Sequence, residues 1–237
     1  MAIISPKIKQ QYVCSYMHNR KSNKKTTMKK VLLLTGIAAL FMACGSGAST
    51  ADAGDAKEAA TATESNTEYA INQTESMLSW KGTKPSGDSH SGTVAIKEGK
   101  LAMADGALTA GNFVIDLTKM NVTDEGIDEE SKAKLLGHLT TGDFFEVEKY
   151  PTASFEIISA TADSLTGNLT IKEVTKSITV PYFAQTDAGK LTATASFAID
   201  RTLWGVTYNS GNFFKNLGDY LINDAIQFDV KLVAEAK

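Results

Sequence analysis

The sequence predicts an all-β domain, an antiparallel barrel of about eight strands carrying one short helix and a further helical turn. Three observations predict it. Apolar and polar residues alternate with period two along most of residues 69–237. Turn-forming clusters interrupt that alternation at Pro85-Ser86-Gly87-Asp88, Glu98-Gly99, Asp105-Gly106 and Asp187-Ala188-Gly189. The connections between strands are short, and a sheet of that kind removes its exposed edges only by closing on itself.

The strands follow in order. Leu78, Trp80 and Gly82 share one face, against Ser79 and Lys81. Val94 and Ile96 continue the pattern, then Phe113, Ile115 and Leu117. Leu165, Gly167, Leu169 and Ile171 alternate with Thr166, Asn168, Thr170 and Lys172. Leu191, Ala193, Ala195, Phe197 and Ile199 form the next apolar face, and Ile226, Phe228, Val230, Leu232 and Ala234 the last. One wet face and one apolar face per strand is the mark of an antiparallel sheet. The helix falls at 128–139, with Leu135, Leu136 and Leu139 on one side. Gly142 interrupts it, Phe144-Phe145 follows, and Tyr150-Pro151 returns the chain to extended geometry. Two adjacent phenylalanines are costly to expose, so they are expected to plug an open end of the sheet. The second helical turn is expected near 213–220.

The ends of the chain read differently. Residues 1–27 are basic and lack apolar periodicity, so Met28 is the expected start and 1–27 an upstream extension. Met28-Lys29-Lys30 opens an apolar run over 31–42 that ends at Ala43-Cys44-Gly45. That is the layout of a secretory signal, and the run is shorter than the ~20 residues of a membrane-spanning helix. Cys44 after Ala43 fits a lipoprotein signal, in which the cysteine becomes the lipidated N-terminus; the other reading is an ordinary secretory signal with a chance cysteine. Residues 45–68 hold Ala, Ser, Thr, Gly and acids and no large apolar side chain before the strands begin, which predicts a disordered linker. The expected division is therefore 1–43 extension and signal, 44–68 lipidated cysteine and linker, 69–237 barrel. Cleavage before Cys44 removes eight Lys or Arg and no acid, taking the net charge from −3 to −11 and excluding a nucleic-acid binder. The one remaining cysteine allows neither a disulfide nor a thiolate zinc site.

A family resemblance is carried by the middle of the chain. His138-Leu139, then Asp143-Phe144-Phe145-Glu146-Val147, then Tyr150-Pro151-Thr152-Ala153-Ser154-Phe155 resembles the segment that marks the YceI-like family. Gly167-Asn168-Leu169-Thr170-Ile171-Lys172 with Val174-Thr175-Lys176, and Ile199-Asp200-Arg201-Thr202 with Trp204-Gly205, extend the likeness in the right order. Where the family often has Arg-Asp before His-Leu, this chain has Leu136-Gly137. The resemblance implies a lipocalin-like barrel in the periplasm that holds a polyisoprenoid or another long-chain amphiphile.

The residues allow three functions. Trp80, Phe113, Phe155, Leu169, Ala195, Phe197 and Phe228 lie on apolar strand faces, and Phe144, Phe145 and Trp204 lie in connections. With small residues at Gly82, Gly167, Ala193 and Ala195, these side chains form the expected ligand-binding set, joined at a barrel mouth by His138 and Arg201 as polar contacts for a head group. The bland readings are His138 bonding the helix end, Arg201 satisfying loop carbonyls and a barrel filled by its own side chains, giving a structural or partner-binding envelope protein. A hydrolase or isomerase built on His138 is the third possibility, without a Gly-x-Ser-x-Gly or His-Glu-x-x-His motif to support it. No cofactor, metal or catalytic group is expected, and the anchor at Cys44 would place the protein on a membrane of the cell envelope.

Overall fold

The computed structural model describes residues 50–237; the signal segment and Cys44 lie outside the described residues. The strands are β1 (Ala53–Asp55), β2 (Thr67–Ile71), β3 (Met77–Thr83), β4 (Ser89–Ala104), β5 (Ala107–Val122), β6 (Thr152–Ala160), β7 (Ser164–Ile171), β8 (Val174–Asp187), β9 (Lys190–Asp200) and β10 (Ala225–Ala236). One helix, α1 (Glu129–Thr140), and two short 3-10 turns, Arg201–Trp204 and Gly218–Tyr220, complete the chain. Strands β3 to β10 pair antiparallel with their sequence neighbours, and β10 pairs back onto β3. This is the closed eight-stranded barrel that the alternation predicts.

Two short strands complete the closure. β4 and β10 run on beyond β3, and β2 pairs with both of them there. β8 and β9 pair only between Tyr182↔Ala195 and Asp187↔Lys190. The first half of β8 instead pairs with β1, from Ala53↔Ile178 to Asp55↔Lys176, and the Ala51 N–H donates to the Ala198 carbonyl at 2.7 Å. The antiparallel order puts the β3–β4 turn, the α1 connection, the β7–β8 turn and the β9–β10 connection at one end of the barrel, called here the helix end.

Within residues 50–66 the structure departs from the expected disordered linker. This segment crosses the outside of the barrel, and its backbone is bonded at several points: Ala51 to Ala198, β1 to β8, and the Ala60 N–H to the Ile157 carbonyl at 2.9 Å. Asn168 supplies the most specific contact. Its side chain accepts from the Lys57 N–H at 3.0 Å and donates to the Lys57 carbonyl at 2.6 Å, as a neighbouring strand would. Composition argued for disorder because the segment buries little apolar surface; backbone pairing to open strand edges supplies the order instead. The same contact explains three departures from the wet-face pattern. Asn168, Ser177 and Ala198 point outward yet are buried, because residues 51–57 lie over them.

α1 starts one residue later than expected and ends one later. Asp128 caps it by accepting from the Ser131 N–H at 2.7 Å, with Glu129 and Glu130 complementing the positive end of the helix dipole. Only Leu139 is fully buried; Leu135 and Leu136 are half-buried against the core.

Two consequences can be measured for residues 50–66. A chain truncated to begin at Glu68 is expected to melt below the parent. Asn168→Ala, which leaves the Lys57 peptide without partners, is expected to cost about 1–3 kcal/mol in urea titration and to speed proteolysis before Glu68. Equal melting of the truncated and parent chains would show that this segment contributes nothing to the fold.

Candidate functional site

The inward side chains leave a cavity along the barrel of about 150 Å³, measured by where the centre of a water-sized sphere fits. At about 10–15 Å³ per water on that measure, it has room on the order of ten waters, or roughly 300 Å³ of liquid. That is the low end of the range for small-molecule sites, about 300–1,000 Å³. The lining runs from Leu108 and Leu165 near one end to Gly82, Met120 and Ile226 near the helix end. Its only residues with polar side-chain groups are Trp80, Tyr182, Thr194, Asn223 and Arg201, and the surface it presents is almost wholly apolar.

Cross-strand pairing builds this lining. Phe113 faces Phe155 with ring centroids 5.5 Å apart, and Phe197 faces Phe228 at 5.8 Å. Trp80 pairs with Phe228 on its other side. Two of the large rings rest on glycines of the next strand. A Cβ on Gly92 would run into the Trp80 indole, and one on Gly167 into the Phe155 ring. Gly167 therefore does not open space for a ligand, as the sequence reading had it; the Phe155 ring occupies that space. Gly82 does open space, since a Cβ there meets no atom within 4 Å. Ala193 and Ala195 line the cavity farther from the helix end, level with Leu232 and Val230. Among the described residues, the Trp80 Nε1–H is the one buried side-chain donor or acceptor without a partner.

Of the expected set, Trp80, Phe113, Phe144, Phe145, Phe155, Leu169, Ala195, Phe197, Phe228 and Arg201 line the cavity. His138 and Trp204 do not. Trp204 is 1% exposed and donates its indole N–H to the Leu169 carbonyl at 3.0 Å, sealing the helix end against β7. His138 packs its ring on Phe144 and Tyr208, at 5.9 and 4.9 Å, with Nδ1 at 3.3 Å from Asp143. Those stacked rings pin the Phe144-Phe145 plug to the β9–β10 connection. Tyr208, which packs on that plug, and Ile222 and Asn223, which line the cavity, belong to no alternating run, so periodicity gives no signal for them.

Arg201 is 1% exposed and its donors are committed to protein. Nε donates to the Asn223 carbonyl at 3.2 Å, Nη1 to Val206 at 2.7 Å, and Nη2 to Ile222 at 3.2 Å and to the Asp224 carboxylate at 3.3 Å. Only one N–H of the guanidinium is left over. Burial pushes its pKa down, opposed by Asp224 and Asp200. Arg201 thus folds the β9–β10 connection across the end of the barrel, the loop-carbonyl role among those expected. A second polar cluster lies where β4 begins. Asp124 accepts from His90 Nδ1 at 2.7 Å and from the Ser91 N–H and hydroxyl at 2.9 and 2.8 Å. Burial pushes the Asp124 carboxyl up, but these bonds outweigh it and hold the pKa below its ordinary value. Among the described residues no group of three or more His, Cys, Asp or Glu is placed to hold a metal.

A closed antiparallel barrel with an apolar interior defines the lipocalin-type class of β-barrel. The sequence profile of the YceI-like domain matches residues 69–234, and the chain belongs to that family. It is 39% identical over 82 residues to a UPF0312 protein of Pseudomonas aeruginosa, a match covering 32% of this chain and 42% of that protein. The chain thus spans about two fifths of the length of the curated relatives it matches. Among solved structures, a polyisoprenoid binding domain from Saccharophagus degradans implicated in plant cell wall breakdown is similar with TM-score 0.52 and 16% identity, covering 71% of this chain and 98% of that one. BcnA of Burkholderia cenocepacia is similar with TM-score 0.49 and 18% identity, over 69% of this chain and 99% of that one.

The two polar clusters make separable predictions. Arg201→Ala is expected to destabilise by on the order of 3 kcal/mol or more, because it strands buried carbonyls and Asp224. Arg201→Lys is not expected to rescue it, since one ammonium lacks the fork that reaches three carbonyls. A Lys variant within about 1 kcal/mol of the parent in urea would contradict this. For Asp124 the folded pKa lies below the unfolded one. Its stabilisation is therefore fully present above the unfolded carboxylate range, near about 3.9, and is lost as pH falls through the folded value. Asp124→Asn should have a lower urea midpoint than the parent at pH 7, and the two midpoints should converge in acid.

Proposed function

We propose that this chain is a lipid-anchored protein of the periplasmic cell envelope that holds a polyisoprenoid or another long-chain amphiphile in its barrel. The observation that carries the proposal is the cavity: a channel along the barrel, lined almost wholly by apolar side chains and kept open at Gly82, Ala193 and Ala195. That lining favours a hydrocarbon chain over any polar small molecule. The similarity to a polyisoprenoid binding domain from Saccharophagus degradans supports the same choice of ligand. An open interior speaks against the filled barrel of a purely structural envelope protein. His138 lies outside the cavity with its ring packed, so it supports no hydrolase or isomerase reading.

Burying about 15 carbons at ~0.8 kcal/mol each gives roughly 12 kcal/mol. Association costs of at least about 4 kcal/mol leave around 8, which is micromolar binding. A prenyl or acyl chain of about this length is therefore the fitting occupant. The anchor rests on the sequence around Cys44, and Cys44→Ala is expected to release the protein from membranes.

Native mass spectrometry and organic extraction of the purified protein test the ligand directly, and a bound prenyl or acyl lipid is expected. Gly82→Phe and Ala195→Phe each project a ring into the open part of the cavity. Each is expected to weaken binding of a farnesyl probe by at least about tenfold with the β-sheet circular dichroism unchanged. A parent that yields no lipid and binds no probe would overturn the proposal.

A further inference from the structure

One end of the cavity is shut. Away from the helix end its lining is Leu101, Leu108, Ile157, Leu165 and Leu232, and each of these is buried. At the helix end, by contrast, the lining residues Gly82, Phe145, Ile222 and Asn223 are half-buried. Tyr182 also lines the cavity, but its hydroxyl is turned to the backbone and donates to the Thr161 carbonyl at 2.9 Å.

The next row of inward side chains shuts it. Met103 stands opposite Leu108, Thr186 opposite Leu191, and Leu191 opposite Ala234. Met103, on β4, meets Thr186, on β8: its Sδ accepts from the Thr186 hydroxyl at 3.6 Å. These strands are not neighbours. β5, β6 and β7 separate them on one side and β2, β10 and β9 on the other, so the contact crosses the barrel. Met103 is 7% exposed, and Leu191 and Ala234 are 0% exposed. A thioether is a weak acceptor, so the contact marks where the side chain lies more than it holds it there. Methionine, unbranched and adaptable, suits an irregular gap of this kind.

We propose that Met103, lying across the barrel as a floor to the cavity, fixes the length of hydrocarbon chain that the protein accepts. The proposal rests on the ligand reading given above. The tail of an amphiphile lies along the cavity and stops at the floor. A chain no longer than the cavity buries all its carbons; a longer one leaves the surplus outside, where the lining cannot reach it. Affinity therefore rises with chain length by about fourfold per buried methylene until the tail meets the floor, and then levels off. Met103 is a specificity-determining residue for the tail and has no part in recognising a head group.

The test uses the full chain and the prenyl alcohols geraniol, farnesol and geranylgeraniol, each titrated in competition with the farnesyl probe. In the parent, farnesol is expected to bind at least about tenfold tighter than geraniol, with geranylgeraniol within about threefold of farnesol. Met103→Ala clears the floor and makes room for about two more carbons, so geranylgeraniol is then expected to bind at least about tenfold tighter than farnesol. Met103→Leu, which keeps the volume, is expected to keep the parent profile. Should the alanine variant fail to fold, Met103→Val is expected to show the same shift, at least about fourfold. A purely structural methionine would lower the melting temperature when truncated and leave the order of the alcohols unchanged, and that result overturns the proposal. So does a parent whose affinity climbs a further tenfold or more from farnesol to geranylgeraniol. Both of those results leave the ligand reading standing. A parent that binds none of the alcohols overturns the ligand reading and this proposal with it.

Discussion

Every strand edge in this barrel has to find a backbone partner, and the long strands alone do not provide them all. β8 and β9 part over half their length, and β4 and β10 outrun β3. Without β1 and β2 those stretches would present rows of free N–H and C=O groups beside an apolar interior. β1 and β2 occupy the two gaps, and the barrel closes around a cavity instead of splitting along a seam. The N-terminal segment is therefore part of the wall, with Tyr69 of β2 in the core and Ala51 and Ala53 packed against it. Asn168, a polar residue on a strand otherwise bordered by threonines, is the point where this dependence is most visible.

Closure sets the interior, and the large rings then decide how much of it stays open. A barrel of eight strands is narrow enough for its own side chains to fill. Here the Trp80 and Phe155 rings lie against Gly92 and Gly167 of neighbouring strands, closer than any side chain at those positions would allow. Glycine at those two positions acts by letting a ring approach the backbone. At Gly82 the absence of a side chain has the opposite effect and widens the cavity. The same residue type on the same face thus does two different things, depending on what stands across from it.

The helix end is organised by one buried charge. Arg201 gathers three carbonyls and a carboxylate from a connection that has no ladder of its own, so that irregular backbone can cross the barrel end without leaving its polar groups unpaired. Trp204 bonds to β7, and His138, Phe144 and Tyr208 stack on one another, tying this connection to the plug that follows α1. Arg201 reaches the cavity, but its donors are spent on the fold. This differs from the head-group clamp that a strand-end arginine next to a ligand site invites one to expect.

The sequence by itself determined the barrel, the single helix, the Phe144-Phe145 plug and most of the apolar lining, though not Leu101, Leu108, Met120, Ile157 or Val180. Period-two alternation is a local property of each strand, and closure follows from the need to pair edges. It could not determine which glycines leave room and which receive a ring, because that depends on register between strands far apart in sequence. Nor could it place Tyr208, Ile222 and Asn223, which lie in irregular backbone without a period. The order of residues 50–66 was likewise decided only by the tertiary structure. Their composition offers no core to bury, and the groups that hold them, the open edge of β8 and the side chain of Asn168, exist as partners only once the barrel has formed.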